Sequence, residues 1–468
     1  MLFLVGKSNI ISYMEALCHT TVYNWVERRS MLALLLIISA LMLSCPNSEK
    51  MHARGMDSTN EFRVSADGIE KSGGDEETGV DVGPGGLKDD PRVGIEVPLM
   101  GDDPLSAFYD ALVALENKQR DKVRVLHYGD SHTAADFLTT TVRRALQERF
   151  GDGGRGFVLL GKPWRSYRPK DIEVSATGEW EPERILIAAD PVTLDGYYGL
   201  AGITTESSTP FARSIVQTNL EKGFGKKASL FDVFYMVQPE GGHMKVFVDG
   251  QRRGTIATDG KRKRSGFFKV KVKEGPHQFE VRLEGDGEVR LFGAAVESNR
   301  GLVYDALGVN GGFFYTPHRW NEAELQKQIA RRDPNLIVTM YGTNESGSRS
   351  LTPESYKEKV RMTMIKFKGG APDASCLMLG PPDRVSSNGE GERIEWIIQV
   401  QREVAAEIGC GFINLREMMG GEGAHQTWQS LSPPLAQSDG IHLTVRGYLT
   451  LGERIATEIL AAFEEYKK

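Results

Sequence analysis

Apolar positions along the chain recur with two different periods, and the change from one to the other divides it. From about residue 105, "PLSAFYDALVALEN" has apolar residues at helical spacing, "VRVLHY" reads as a buried strand, and Ala134 to Phe150 reads as a helix ended by Gly151. Between about 165 and 298 the texture becomes one of short alternating runs, "SLFDVFYMV", "HMKVFVDGQRRGTIA", "GFFKVKV", "HQFEVRLEG" and "EVRLFGAAVES", separated by Gly, Asp and Pro turns. Asp249-Gly250, between Val246 and Ile256, is a hairpin signal. The helix and strand alternation then resumes, with "GLVYDALGVNGG", "NLIVTM", "SCLMLG" and "GFINL" as strands and helices at about 321–332, 354–368, 391–408 and 445–466. Strands alternating with helices predict a doubly wound, parallel, five-stranded α/β sheet in two pieces, 105–164 and 299–468, interrupted by an all-β sandwich over 165–298.

Ahead of this lies a different kind of sequence. Arg28 and Arg29 precede the apolar run "MLALLLIISALMLSC", which is short for a bilayer span and sits where the hydrophobic part of a secretory signal would lie. Ser44-Cys45 at its end resembles the lipobox of bacterial lipoproteins, with Met42 at the usual leucine position, so 1–44 reads as a leader and Cys45 as a lipid-anchored N-terminus. The charged region before the run is long, which makes Met31 or another internal Met a candidate start. Residues 45–104, rich in Gly, Asp, Glu, Ser and Pro, read as a disordered acidic tether that lets the folded part stand off a membrane. The expected location is therefore periplasmic or cell-surface.

Length and charge change the picture little. The 468 residues allow more than one domain, and a net charge of −6 gives no overall attraction to nucleic acid. Of the four cysteines only Cys376 and Cys410 lie in the folded part; both sit in strand-like runs and read as buried hydrophobes rather than a bridge or a zinc site. No metal or organic cofactor is expected.

The chemistry begins at Gly129-Asp130-Ser131, where a strand runs into a helix. A serine there is a helix cap or, if an imidazole takes its proton and a carboxylate fixes that imidazole, a nucleophile. "SDGIH" supplies Asp439 and His442, three apart before the last helix. His132 is the rival base next to Ser131, and His127 lies in the strand. Negative charge developing on a carbonyl oxygen needs fixed donors, and two turns at strand ends offer them: Gly308-Val309-Asn310-Gly311-Gly312 and Tyr341-Gly342-Thr343-Asn344-Glu345. Asp130, His132 and Asp383, the last in "LGPPDRV", are candidates for touching the substrate, with a loop salt bridge as the other role for Asp383. "KRKR", 261–264, reads as a solvated loop, and Trp164, Tyr197, Tyr198 and Trp320 as core or as sugar-stacking platforms.

The ordered blocks "GDSHT", "GVNGG", "YGTNE" and "DGIH" resemble those of the SGNH (GDSL) hydrolase superfamily. The resemblance implies a three-layer α/β fold, Ser131 as nucleophile, Ser131 N–H, Gly311 (rather than Gly308) and Asn344 as oxyanion donors, and Asp439 with His442 completing the triad. A β insert between the first and second blocks further resembles bacterial peptidoglycan O-acetylesterases, whose insert is like a carbohydrate-binding module. That implies an O-acetylated polysaccharide as substrate, with no nucleic-acid partner and membrane contact only through Cys45. An acetyltransferase or esterase for another exopolysaccharide, and a non-catalytic glycan-binding lipoprotein, are the competing expectations.

Overall fold

Strand β1 (Lys122–Gly129) divides its side chains between two cores, and that division shows the architecture. Leu126 and Tyr128 enter one apolar cluster, Val123 and Val125 another on the opposite face. This computed structural model describes residues 94–97, 103–161, 163–165, 167–186, 195–219, 221, 223–385 and 390–468. The leader, Cys45 and nearly all of the tether lie outside them.

In chain order the elements are α1 (Ser106–Glu116), β1, α2 (Ser131–Ala134), α3 (Phe137–Phe150), then β2 (Gly156–Val158), β3 (Ile172–Thr177), β4 (Glu181–Arg184), β5 (Ile203–Ser207), β6 (Arg213–Thr218), β7 (Ala228–Val237), β8 (His243–Val248), β9 (Gln251–Ala257), β10 (Arg264–Gly275), β11 (Gln278–Leu283) and β12 (Val289–Glu297). There follow β13 (Gly301–Gly308), α4 (Glu322–Arg332), β14 (Leu336–Met340), α5 (Pro353–Gly369), β15 (Ser375–Leu379), α6 (Glu390–Ile408), β16 (Gly411–Ile413), α7 (Leu415–Met419), α8 (Ala424–Ser430) and α9 (Val445–Tyr466).

The parallel sheet has the order β13-β1-β14-β15-β16. Its strands are apolar on both faces because helices cover both: Leu325 of α4, Tyr356 of α5 and Ile394 of α6 pack on one side, Phe108 of α1, Val142 of α3 and Ile455 of α9 on the other. This is the expected doubly wound, five-stranded α/β sheet. The chain leaves β1 for β13 on one side and then for β14 on the other, so the crevice beyond the carboxyl ends of β13, β1 and β14 is a topological switch point, where ligands of such sheets bind.

The strands β2 to β12 form two antiparallel sheets, β10-β7-β12-β5-β4 with β2 also on β12, and β3-β6-β11-β8-β9. Phe231, Val233 and Val296 from the first and Val246, Phe279 and Val281 from the second share one apolar cluster. Asp249 (φ 52°) and Gly250 (φ 75°) make the β8–β9 turn that their sequence predicts. A buried ion-pair network joins these sheets to the α/β part: Arg332 of α4 binds Asp305 of β13 at 2.7 Å and Glu297 of β12 at 2.6 Å, while Asp305 also accepts from the Phe157 N–H of β2 at 2.8 Å.

The structure corrects the expectation for the cysteines. Cys376 of β15 and Cys410, one residue before β16, form a disulfide. Pairing of Leu377 with Gly411 brings the two preceding residues side by side, their Cα atoms 4.8 Å apart, inside the geometric range for a bridge.

Candidate functional site

Gly129 ends β1 where no other residue fits, since a Cβ there would lie 2.0 Å from the Thr133 hydroxyl oxygen and 2.8 Å from the Met340 carbonyl. The chain therefore turns sharply into α2. The Asp130 carboxylate caps that helix by accepting the His132 N–H at 3.0 Å, and Ser131 takes the first helical position, partly exposed at the switch point. On the far side of the sequence, Thr444 caps α9 by accepting the Gly447 N–H, and the turn before it presents Asp439 and His442.

These segments, 311 positions apart, meet. Ser131 Oγ lies 3.0 Å from His442 Nε2, and His442 Nδ1 lies 2.7 Å from Asp439 Oδ2. Asp439 Oδ1 accepts two more hydrogen bonds, from the Ile441 and His442 N–H groups, each at 2.9 Å. Burial works against ionisation of Asp439, but the hydrogen bonds from His442 and Ile441 outweigh it and hold the carboxyl below the usual carboxylate range. An ionised carboxylate only accepts, so the proton on His442 sits on Nδ1 and Nε2 faces the serine as an acceptor. That is the protonation pattern needed to take a proton from Ser131.

The donor loops follow β13 and β14. Gly311 adopts φ +76°, a left-handed conformation that leaves its Cα open, with Leu186 Cδ2 at 3.8 Å the nearest atom to a Cβ placed there. Among the described residues neither the Gly311 N–H nor the Ser131 N–H has an acceptor. Asn344 donates one carboxamide hydrogen to the Gly312 carbonyl at 2.9 Å, which leaves its second hydrogen and ties the two loops together. Gly308, the last residue of β13, is packed against α2, where a Cβ would lie 2.2 Å from the Ala134 nitrogen, whereas Gly311 stands open on the loop beyond.

The structure corrects the three substrate-contacting candidates: Asp130, His132 and Asp383 are each 1% exposed. Burial pushes Asp130 up to about 7, although the His132 N–H lowers it. His132 turns away from Ser131, with Nδ1 3.0 Å from the Tyr448 hydroxyl. Burial, and then the nearby His442, bring His132 down to about 3, so it packs against His442 as a neutral ring with centroids 5.5 Å apart. Asp383 takes the salt-bridge role, with Arg416 Nε at 2.9 Å and the His425 N–H at 2.9 Å. From the same block it is Arg384 that reaches the Asn344 loop, through the Thr343 carbonyl and the Ser346 hydroxyl.

His127 is fully buried against the Tyr304 hydroxyl at 2.8 Å. Tyr198 and Trp320 are core residues, and Trp164 and Tyr197 pack partly buried on the same cluster. "KRKR" is exposed on the turn after β9, its last residue Arg264 opening β10. The one trio of potential metal ligands among the described residues is His243, which opens β8, with Glu284 and Asp286 in the turn after β11; Asp286 is held by His243 and Glu284 by Lys245. Two residues at the site gave no sequence signal of their own: His425, whose buried ring lies close to His442 and Asp439, and Glu345, directly after Asn344.

Residues 277–449 match the GDSL-like lipase/acylhydrolase family. No curated protein matches the sequence. Among solved structures, a peptidoglycan O-acetylesterase is similar over 78% of this chain and 98% of its own, with TM-score 0.64 and 22% identity. A lipase/acylhydrolase from Enterococcus faecalis (20% identity, 35% and 78% covered, TM-score 0.27) and a family two carbohydrate esterase from Clostridium thermocellum (9%, 61% and 99%, TM-score 0.26) also match. The family match spans the donor loops and the Asp439–His442 turn, and the chain shares its fold with the peptidoglycan O-acetylesterase.

Proposed function

We propose that the protein is an exported serine acetylesterase that removes O-acetyl groups from cell-wall peptidoglycan. The observation that carries the catalytic part is the unbroken line from Ser131 Oγ through His442 to Asp439, at 3.0 and 2.7 Å. His442 Nε2 takes the serine proton as Oγ attacks the acetyl carbonyl. The Ser131 N–H, the Gly311 N–H and the second Asn344 hydrogen hold the resulting oxyanion, each such donor contributing a factor of ~10² to 10³ in rate. The C–O bond to the sugar breaks as His442 returns its proton to the departing oxygen. Water, deprotonated by the same imidazole, then adds to the acetyl-serine ester and releases acetate.

Hydrolysis is favoured over transfer by the openness of the triad. The Asp439 side chain is 42% exposed, that of His442 18%, and Ser131 is partly exposed, so the acyl-enzyme forms at a site open to water. The substrate assignment is supported by the fold, since the likeness to the peptidoglycan O-acetylesterase runs through 98% of that chain. Export is supported by the apolar run ending in Cys45 and by the Cys376–Cys410 disulfide, a bond that persists in oxidising compartments. The two antiparallel sheets over β2–β12 take the part of a glycan-facing module in this reading.

Acetate release from O-acetylated peptidoglycan, acetylated xylan and short-chain lipid esters, measured side by side, tests the assignment. Peptidoglycan is expected to be the best of the three, with all release lost in Ser131→Ala. A clear preference for the lipid esters overturns the substrate, and activity of Ser131→Ala at the wild-type level overturns the mechanism.

A further inference from the structure

Glu345 is fully buried immediately after Asn344, and its two carboxyl oxygens hold two different loops. Oε1 accepts the N–H of Phe314, three residues beyond Gly311 on the loop after β13. Oε2 accepts the N–H of Gly342, two residues before Asn344 on the loop after β14, at 3.1 Å. The Phe314 carbonyl is in turn fixed by the Thr363 hydroxyl of α5 at 2.8 Å.

Among the described residues no Lys, Arg or His pairs with this carboxyl, and the titratable groups that face it, Asp130, Tyr315, Tyr341 and Tyr356, offer no positive charge. A buried acid without a cation is costly, so stability alone gives no reason to keep one here. The reason lies in the two N–H groups. Even with its proton a carboxyl keeps a lone pair on each oxygen with which to accept, whereas the NH₂ nitrogen of a glutamine accepts nothing and would set its hydrogens against one of the two N–H groups.

We propose that Glu345 is a positioning residue: its carboxyl group clamps the loop after β13 to the loop after β14 and so sets the spacing of the Gly311 N–H and the Asn344 carboxamide. The inference rests on the reading of those two groups as oxyanion donors. Preorganised donors act only where the oxyanion will form, and misplacement by about 1 Å costs on the order of 10²-fold in rate. A clamp between the two loops acts on the transition state, not on the resting substrate.

The test is Glu345→Gln, with p-nitrophenyl acetate as substrate and methylboronic acid, which adds to the serine as a tetrahedral anion, as inhibitor. Both kcat and kcat/KM are expected to fall by about 10- to 100-fold together, as for an interaction made only in the transition state, and the boronate Ki to rise by the same factor. Asn344→Ala in combination is expected to cost less than the product of the two single effects, because both act through one donor. Wild-type kcat and Ki in Glu345→Gln, with only the melting temperature lowered, overturns the inference. If Glu345→Gln does not accumulate as folded protein, Glu345→Asp, which withdraws the carboxyl by one methylene, is read by the same criteria. A silent Asn344→Ala would instead remove the oxyanion reading itself, so the two failures are told apart.

Discussion

Replacing Asp439 by asparagine is expected to damage the enzyme more than replacing it by alanine. The carboxylate binds the Ile441 and His442 N–H groups with Oδ1, each at 2.9 Å, and His442 Nδ1 with Oδ2 at 2.7 Å. In Asp439→Asn the amide oxygen keeps the place of Oδ1, because turning the NH₂ there loses two hydrogen bonds, about 1 kcal/mol each, and opposes N–H to N–H. The NH₂ then faces His442 Nδ1 and drives the imidazole proton to Nε2, the atom 3.0 Å from Ser131 Oγ that must be free to accept. Loss of the right tautomer and of the charge that supports the imidazolium would cost up to ~10⁴-fold in a water-excluded triad. Asp439 is 42% exposed, so solvent screens part of the charge effect, and about 10³-fold in kcat/KM is expected. Asp439→Ala leaves the tautomer free and admits water to the vacated position, for a loss of about 10²-fold. The assay is the pH 7 kcat/KM for p-nitrophenyl acetate. An asparagine variant as active as the alanine variant, or within tenfold of wild type, refutes the orientation argument.

Other perturbations have equally definite outcomes. The Cys376–Cys410 bridge closes a 34-residue separation, for which the chain-entropy account gives about 4 kcal/mol; reduction, or the double substitution to alanine, is expected to lower the denaturant midpoint without changing KM. Burial pushes Glu345 from 4.5 up to about 8, so the folded state keeps a proton that the unfolded chain gives up, and stability falls as pH rises through that window. Glu345→Gln abolishes the term, so its melting temperature relative to wild type is expected to rise, on the order of 5 °C between pH 5 and 8, in a scanning-fluorimetry series; a flat difference contradicts the assignment. Gly308→Ala is expected to yield little folded, active protein, because its Cβ would lie 2.2 Å from the Ala134 backbone nitrogen directly behind Ser131.

Most of the α/β part was legible because its elements are long and strictly periodic. In α9, Tyr448, Leu451, Ile455, Ile459 and Phe463 fall on one face, and the expected 445–466 is the observed helix. The meeting of Ser131, His442 and Asp439 was legible because it needs only residue types at strand ends, which the blocks supply. The disulfide was not, because it depends on the register between β15 and β16, which is set by the whole sheet. The burial of His132 and Asp383 was hidden for the same reason: their partners Tyr448, Arg416 and His425 arrive from distant segments. Glu345 stood in a quoted motif, yet nothing in the sequence says that Phe314 and Gly342 turn their N–H groups toward it.

Hydrolysis at this site requires Ser131 to form a covalent acyl intermediate with proton transfer to His442. Intact-protein and peptide mass spectrometry after a brief exposure to a fluorophosphonate measures this directly. A single adduct on the peptide containing Ser131, absent in Ser131→Ala and slowed at least 100-fold in His442→Ala, is the expected result. An adduct on another residue, or labelling of Ser131 at an undiminished rate without His442, would contradict it.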